Sequence, residues 1–362
     1  MTTIAIDGSV LAAGPITGIP RYTRELVRAL GRLGAPERFL LVARGRLEAA
    51  DYPGIEVVSR DLPLWRTLYL PLTLLGRRCR LVHFPDPYPP AWLPCPSVVT
   101  VHDLSFLRHP EWFTPEMARV LAGTWVPAIR GARHLVCVSD FTRREVAELL
   151  GIPGERMTVT PLGASAWPEA PSAHPHGGIP YVLSVGTIQP RKNFARLVGA
   201  FARAGAALAD FHLCIAGATG WKAEDLGALA EQEGVRDRVR LLGAISDREL
   251  ASWYRHAAAF ALPSLYEGFG LPLLEAMAEG LPCLTSKCSS LPEVAGEAAL
   301  LVDPTNGEEI AQGLVRICLD QGLRERLSAA ARARSATFTW EACAQRTLAA
   351  YRQARGGSPT SA

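Results

Sequence analysis

The chain has 362 residues, of which 48% are hydrophobic and 20% charged, so it can bury the cores of about two domains and is not a disordered chain. With 38 basic and 35 acidic side chains the formal net charge is only +3, and we expect no nucleic-acid partner. Only Lys192, Lys222 and Lys287 are lysines; every other basic side chain is an arginine. In such a composition an arginine cluster carries little information, whereas a lysine in a suggestive place carries more.

The N-terminal segment and the cysteines indicate a cytoplasmic protein. Met1–Asp7 has neither the basic nor the apolar region of a secretory signal, and no run of about 18 apolar residues predicts a transmembrane helix. The eight cysteines include no C-x-x-C pair and lie mostly in apolar surroundings. We therefore expect reduced thiols in the core rather than zinc ligands.

Short apolar strands alternate with helical segments from the N-terminus onward. The first five predicted strands are Thr3–Asp7, Phe39–Ala43, Leu81–Phe84, Val98–His102 and His134–Ser139. The apolar periodicity predicts helices over Arg21–Leu33 and Thr142–Gly151. Thr142 and Glu145 have the spacing of a capping box, which would explain the start of the second helix.

The segment Leu62–Leu75 is apolar but interrupted by two prolines and an arginine, so it is not expected to span a membrane. Its pattern favours an amphipathic helix packed on the domain. Two aromatic residues within it and the arginines at positions 77, 78 and 80 leave contact with a membrane surface as the alternative.

The stretch Ala164–Pro180 contains four prolines and two glycines and predicts an interdomain linker. It separates an N-terminal Rossmann-like domain, residues 1–163, from a C-terminal one, residues 181–338. Residues 339–355 are predicted to form a helix, with the helical pattern over Thr339–Gln353, that packs back toward the N-terminal domain. Residues 356–362 are predicted to be a disordered tail.

The C-terminal domain repeats the alternation of strands and helices. Its predicted strands are Tyr181–Gly186, His212–Gly217, Val239–Leu242, Ala258–Leu262, Cys283–Thr285 and Ala299–Val302. Its predicted helices include Phe194–Ala204, Asp247–His256 and Leu273–Ala278. Continuously apolar strands predict α/β domains with doubly wound parallel sheets, which bind ligands at the carboxyl ends of their strands.

Two segments of the C-terminal half carry polar residues directly after such strands. In the first, Val185-Gly-Thr-Ile-Gln-Pro-Arg-Lys-Asn193, two cations lie between a strand and a helix N-terminus, an arrangement suited to phosphate. A solvated basic turn is the alternative, and the scarcity of lysine favours the phosphate site.

The second segment, Pro263–Ala278, contains the string Glu-Gly-Phe-Gly-Leu-Pro-x-x-Glu-Ala. Its glycines let backbone approach a ligand, and Glu267 and Glu275 are eight residues apart, so they could address different parts of one extended ligand. Each glutamate alone is more often a surface residue; the complete string is much more specific.

With these segments the sequence resembles a known family, the retaining glycosyltransferases of family four. The resemblance covers nearly the whole chain and is carried by six motifs: Gly18–Tyr22, Val101–Phe106, Val138–Arg144, Val185–Asn193, Glu267–Glu275 and Leu291–Gly296 with Val302–Pro304. It implies the GT-B fold, in which two Rossmann-like doubly wound parallel-sheet domains face a central cleft, and a nucleotide-sugar donor.

The resemblance also assigns roles around the donor. The residues implied to hold its diphosphate are Gly18, Arg191, Lys192, Phe269, Gly270 and Leu271. Glu275 would bind the ribose hydroxyls, and Ile245 would border the base.

The implied catalytic residues are Glu267, beside the transferred sugar, and His102, near the reacting face of that sugar. A buried histidine hydrogen-bonded at a strand end is the alternative for His102. No D-x-D sequence occurs that could carry a metal–diphosphate complex. That absence fits the metal independence that the resemblance implies, and the resemblance further implies a cofactor-free transferase that retains the anomeric configuration.

Within the family, the motifs Gly18–Tyr22, Val101–Phe106 and His109–Phe113 look most like those of bacterial mannosyltransferases of polysaccharide assembly. That likeness implies transfer of a hexose, with mannose from GDP-mannose favoured, to a hydroxyl of a glycan, a lipid-linked or a small-molecule acceptor. The N-terminal half has nineteen arginines against fifteen acidic residues, which would suit peripheral contact with the inner face of the membrane.

Several alternatives remain at this stage. Another donor would make the protein a UDP- or dTDP-sugar-dependent transferase of secondary metabolism, and the same fold could serve a nucleotide-sugar epimerase or a noncatalytic nucleotide-sugar sensor. A NAD-dependent dehydrogenase is disfavoured because no G-x-G-x-x-G follows the first strand.

Overall fold

The computed structural model describes residues 2–12, 18–165, 167, 169 and 173–356, which form two compact units. Unit 1 comprises Met1–Arg108, Glu116–Gly163 and Phe338–Ala362, and unit 2 comprises His109–Pro115 and Ala164–Thr337, each within the described part of the chain. Residues 13–17, part of the predicted linker and the last six residues lie outside the described residues.

Unit 1 is built on a parallel seven-stranded sheet. Its strands are β1 Thr3–Asp7, β2 Arg38–Arg44, β3 Glu56–Arg60, β4 Leu81–Phe84, β5 Ser97–Val101, β6 His134–Cys137 and β7 Met157–Val159. Its helices are α1 Ile19–Arg32, α2 Leu70–Gly76, α3 Ser105–Arg108, α4 Pro115–Gly131, α5 Asp140–Leu150 and the C-terminal helix Trp340–Ala354. The strand order is β3-β2-β1-β4-β5-β6-β7.

Unit 2 carries a parallel six-stranded sheet. Its strands are β8 Tyr181–Val185, β9 His212–Ala216, β10 Val239–Gly243, β11 Ala259–Leu262, β12 Cys283–Ser286 and β13 Leu300–Val302, in the order β10-β9-β8-β11-β12-β13. Its helices are α6 Phe194–Ala204, α7 Leu226–Gln232, α8 Asp247–His256, α9 Leu271–Ala278, α10 Leu291–Ala295, α11 Gly307–Leu319 and α12 Gln321–Ser335. The predicted α/β class with two parallel sheets is confirmed.

Each sheet reverses its winding once, and this reversal positions the ligand-binding edge. In unit 1 the reversal lies between β1 and β4, and in unit 2 between β8 and β11. Loops leaving two such neighbouring strands turn to opposite faces of the sheet and leave a crevice at its carboxyl edge. Both predicted polar segments of unit 2 therefore begin at the same crevice.

The sequence missed the two edge strands of unit 1. β3 is half-exposed along its length and β7 has only three residues, so neither shows the continuous apolar run of the inner strands. The predicted capping box of α5 is also wrong. The helix begins earlier, with Ser139 as its N-cap: the Ser139 Oγ accepts from the Thr142 amide at 3.0 Å, while Glu145 accepts from Arg108 at 2.6 Å.

The cysteines are unpaired, as expected of core thiols. Six of the eight are buried, and Cys95 and Cys288 are half-buried. Among the helices that the structure describes, none combines the length and the apolar composition needed to cross a bilayer.

The C-terminal helix completes the core of unit 1 through a buried hydrogen-bonded chain. The Tyr351 hydroxyl lies 2.7 Å from Nδ1 of His83, and Nε2 of His83 lies 2.7 Å from Oγ1 of Thr100. The Tyr22 hydroxyl on α1 extends the chain at 3.0 Å from the same Thr100 oxygen. Burial, with a smaller contribution from His102, lowers the pKa of His83 to about 3, so the ring is neutral and each of its nitrogens has one partner.

We expect Tyr351→Phe to lower the free energy of unfolding by about 1–3 kcal/mol, because one ring nitrogen of His83 would lose its partner inside a dry core. Chemical denaturation at neutral pH measures the change. Tyr69→Phe is the control, since Tyr69 is 37% exposed and its variant should match the wild type. Equal stability of both variants would contradict the structural role of the chain of bonds.

Candidate active site

The loops after β8 and β11 meet at the reversal point of the unit 2 sheet. After β8 a helical turn, Pro190–Lys192, leads into α6, and after β11 the loop 263–270 leads into α9. The Leu265 amide donates to the Arg191 carbonyl at 2.8 Å, so the two loops are joined by their backbones as well as by side chains.

A buried carboxylate pairs with both predicted cations. Nζ of Lys192 lies 2.6 Å from one carboxylate oxygen of Glu267, and Nη1 of Arg191 lies 2.7 Å from the other. The Ser264 hydroxyl donates to Glu267 at 2.8 Å. The side chains of Lys192 and Glu267 are each 6% exposed, whereas that of Arg191 keeps 18% of its surface exposed.

The electrostatic outcome is an ionised glutamate inside the protein. Burial alone would raise the pKa of Glu267, but the charges of Lys192 and Arg191, with hydrogen bonds from Lys192 and Ser264, outweigh it and hold the pKa at about 2. Glu267 is therefore a carboxylate throughout the neutral range and has no proton to donate.

Glycine at position 186 makes room for the lysine. A Cβ atom there would lie 3.0 Å from Cε of Lys192, and the residue has a φ of +154°. Gly217 directly follows β9, the neighbouring strand. A Cβ atom there would lie 2.0 Å from the Gly186 carbonyl oxygen, so glycine is needed for the close approach of the two backbones. Glycine directly after β8 thus follows from the positive φ and from the close approach of Lys192.

Several residues that hold the site together were missed by sequence reasoning. Nδ2 of Asn193 donates to the carbonyls of Pro263 and Pro304 at 2.8 and 2.7 Å, and so fastens two loops to the start of α6. The hydroxyl of Ser289 accepts from the Glu267 amide at 3.1 Å, and that of Ser290 donates to the Glu267 carbonyl at 2.9 Å. The pair of serines just before the Leu-Pro-Glu motif was the available signal.

The second glutamate of the string lies on α9 rather than in the ion cluster. Glu275 is buried, with 3% of its surface exposed, and accepts a hydrogen bond from the Tyr254 hydroxyl at 3.1 Å. Gly270 is the N-cap of α9, at a φ of +98°, and offers no side chain to the amides of the first turn. Phe269 and Leu271 flank it, so the three predicted backbone donors lie together at this helix start.

An aromatic cluster borders Glu267 within unit 2. The rings of His109 and Trp112 stack at 3.9 Å, and both meet the ring of Tyr266 edge-on, at 6.1 and 6.5 Å. The sequence analysis noted these residues as parts of motifs but did not predict that their rings are in contact. Ile245, predicted near the base, lies half-buried in the loop between β10 and α8.

The remaining two predicted residues belong to unit 1. His102 follows β5, and its Nε2 donates to the Pro85 carbonyl at 2.8 Å, since a carbonyl can only accept. Burial lowers the pKa of His102 to about 4, against the opposing effects of that bond and of Asp103. The ring is therefore neutral, and its Nδ1 is the acceptor nitrogen. Its contacts are those of the strand-end histidine considered above, but part of its surface stays exposed.

Gly18 is the N-cap of α1, with a φ of +53° and a ψ of −117° that favour glycine. A Cβ there would meet no atom within 4 Å in the described structure, so conformation rather than space selects glycine. Four residues later on the same helix, Tyr22 packs edge-on against His102 with 4.9 Å between ring centroids. The Gly18–Tyr22 motif thus positions His102.

Comparisons with known proteins agree with this architecture. Residues 16–166 match the family model described as Glycosyltransferase Family 4, and residues 169–334 match the one described as Glycosyl transferases group 1. O-antigen chain mannosyltransferase B of Escherichia coli is 30% identical over 368 residues, covering 93% of this chain and 96% of that protein.

Two solved structures share the fold over almost the whole chain. Sucrose-phosphate synthase of Thermosynechococcus elongatus aligns with a TM-score of 0.76 at 21% identity, covering 98% of this chain and 99% of that one. Anabaena HepE, solved with UDP and glucose, aligns with a TM-score of 0.73 at 17% identity, covering 97% and 99%.

We expect Glu267→Gln to lower the free energy of unfolding by about 3–5 kcal/mol, because the buried Lys192 and the partly buried Arg191 would both lose the carboxylate that they share. Glu279→Gln is the matched control: its partner Arg255 lies 3.7 Å away and both side chains are partly exposed, so the change should stay within about 0.5 kcal/mol. Denaturant titration compares the two. Similar losses in both variants would contradict the buried ion cluster.

Proposed function

Because the chain belongs to glycosyltransferase family 4 and is a GT-B glycosyltransferase, we propose that it transfers mannose from GDP-mannose to a hydroxyl group with retention of the anomeric configuration. The observation that carries the proposal is the buried pairing of Lys192 and Arg191 with Glu267 at the reversal point of the unit 2 sheet. The mannosyltransferase from Escherichia coli supports mannose as the sugar.

The donor diphosphate binds the two cations and the start of α9. An ammonium group has three donors and a guanidinium five, so Lys192 and Arg191 can hold Glu267 and still donate to phosphate oxygens. The Gly270 cap contributes backbone amides at the positive end of the helix dipole, with Phe269 and Leu271 beside it. In the proposed complex, Gly18 adds a backbone N–H donor to the diphosphate.

The nucleoside lies along α9. Glu275 accepts hydrogen bonds from the ribose hydroxyls, and the Tyr254 hydroxyl holds the carboxylate in position. Ile245 offers an apolar edge to the base. These assignments together account for the eight-residue spacing of the two glutamates in the sequence.

The reaction breaks the bond between the anomeric carbon and the leaving phosphate oxygen and forms a bond from that carbon to the acceptor oxygen on the same face. The acceptor proton passes to the departing phosphate. Negative charge grows on that phosphate, and Lys192, Arg191 and the α9 amides stabilise it without a metal ion or a cofactor.

Glu267 and His102 position the sugar. A carboxylate already paired with two cations is a weak nucleophile, so Glu267 orients sugar hydroxyls and stabilises positive charge at the anomeric carbon. His102 is neutral above about pH 4 and accepts a hydroxyl hydrogen bond at Nδ1. Neither residue delivers a proton at neutral pH.

The proposed acceptor is a lipid-linked glycan, presented at the cytoplasmic face of a membrane that the protein contacts peripherally. The O-antigen chain mannosyltransferase supports this class over a small molecule. A UDP-sugar is the second candidate donor, and the observation that favours it is the UDP and glucose bound to HepE, a protein of the same fold.

Thermal-shift measurements against GDP, UDP, ADP and dTDP test the donor. We expect GDP to raise the melting temperature most, because a ligand that binds only the folded state stabilises it by mass action. Lys192→Ala should abolish the shift, whereas Lys287→Ala, at a half-exposed lysine paired with Asp303, should preserve it. A larger shift with UDP would replace the donor, and an unchanged shift in Lys192→Ala would remove the diphosphate assignment.

Product analysis tests the stereochemistry and the metal requirement. With GDP-α-mannose and a hydroxyl acceptor, we expect an α-linked product by NMR and an unchanged rate after treatment with EDTA. A β-linked product, a rate lost with EDTA, or a stable glycosyl adduct on Glu267 detected by mass spectrometry would each contradict the mechanism.

A further inference from the structure

A stripe of exposed leucines runs along the helical segment that precedes β4. This segment is a π-helical turn, Trp65–Tyr69, that continues into α2. The leucines at 64, 68, 72 and 75 are 67%, 44%, 50% and 57% exposed, while Trp65, Leu70 and Leu74 are buried. Leu72 and Leu75, three residues apart on α2, share one face of that helix, and Leu64 and Leu68 precede them along the chain. With Tyr69 they make up half of the large exposed hydrophobic side chains in the described part of the chain.

The same segment ends beside a cavity rich in arginine. The cavity measures about 940 Å³, and threonine, proline and alanine side chains complete its lining. Its arginines are Arg38, Arg77, Arg78, Arg80, Arg133 and Arg355. We call this group the arginine basin and the leucines at 64, 68, 72 and 75 the leucine stripe.

The arginine basin has a large excess of positive charge. Glu56 pairs with Arg38 at 2.8 Å and also with Arg77. For the other four arginines of the basin, no ion pair is formed with any carboxylate among the residues described. Arginine binds phosphate oxygens through paired N–H donors, so the basin suits phosphate groups held at a surface.

We propose that the leucine stripe and the arginine basin together form a surface that docks on a bilayer containing anionic phospholipid. An apolar helix face next to a cationic cavity matches the acyl boundary and the phosphate layer of such a bilayer. A second copy of the chain fits less well, because a two-fold contact through this surface would bring two cationic basins together. The proposal rests on the proposed function in one respect: a lipid-linked acceptor places the substrate of the enzyme at a membrane.

The surface also defines an orientation of unit 1. The arginine basin lies at the amino ends of β1, β2, β4, β5 and β6, next to Thr3, Arg38, Arg80, Pro96 and Arg133. His102 follows the opposite end of β5, about 16 Å away by the rise of a five-residue strand. The segment that carries the leucine stripe begins near the carboxyl edge, where Arg66 donates to the Tyr88 carbonyl, and ends at the arginine basin. A bilayer that contacts the whole surface therefore meets unit 1 along its side, with both edges of the sheet near the headgroups.

Flotation with vesicles of phosphatidylcholine alone, or with added phosphatidylglycerol, tests the proposal on the full chain. We expect binding only to the anionic vesicles, weakened by high salt. The double variants Leu68→Ser/Leu72→Ser and Arg80→Gln/Arg133→Gln should each weaken binding at least about tenfold. The nucleotide-induced thermal shift should remain in both, since their substitutions lie in unit 1 outside the donor residues.

Matched controls separate this surface from general stickiness. Leu241→Ser/Leu319→Ser removes two leucines that are 41% and 51% exposed elsewhere, and Arg248→Gln/Arg326→Gln removes two exposed arginines of unit 2. Both should bind as the wild type does. Absence of wild-type binding, or equal losses in test and control variants, would overturn the proposal.

Two further outcomes count against it. If inorganic phosphate binds the basin, as measured by calorimetry, while vesicles do not bind, the site serves a free anion. If Leu68→Ser/Leu72→Ser dissociates a dimer in size-exclusion chromatography, the stripe is a contact between copies. A retained nucleotide shift with no vesicle binding would overturn the docking surface and leave the proposed function standing.

Discussion

Two buried charges and a third that is mostly buried meet at one point and dominate the architecture of unit 2. A carboxylate, an ammonium and a guanidinium removed from water cost free energy unless each finds a partner at hydrogen-bond distance. Lys192, Arg191 and Glu267 meet this condition only while the loops after β8 and β11 stay together. The winding reversal of the sheet brings those loops side by side, so the electrostatic requirement and the topology support each other. The result is a paired set of charges at the crevice where we propose that the donor diphosphate binds.

The backbone around this cluster carries matching constraints. Gly186 leaves room for the lysine, and Gly217 lets the neighbouring loop approach Gly186. Asn193 adopts a left-handed conformation, with a φ of +61°, and its amide reaches two carbonyls from other loops. Such positions do not tolerate exchange by size or polarity alone.

The sequence predicted the two parallel sheets well, because buried strands appear as continuous apolar runs and the turns between them are rich in glycine and proline. It failed at β3 and β7, where half-exposure or shortness removes that signal. The sequence identified both cations and both glutamates as site residues. It did not predict the ion pairs of the cations with Glu267, because it assigned Lys192 to the diphosphate of a ligand. The roles of Asn193 and Ser289 depend on residues tens of positions away. A single sequence does not show which distant residues come into contact in the fold.

The C-terminal helix has a consequence for how the protein is made. His83 lies in the first quarter of the chain, and its partner Tyr351 is synthesised 268 residues later. Unit 2 is nearly continuous in sequence and can fold earlier, whereas α1 and the strands β5, β6 and β7 of unit 1 must wait for their contacts with the C-terminal helix. Until Trp340–Ala354 has been synthesised, the apolar surface that it covers is open to aggregation and to chaperones.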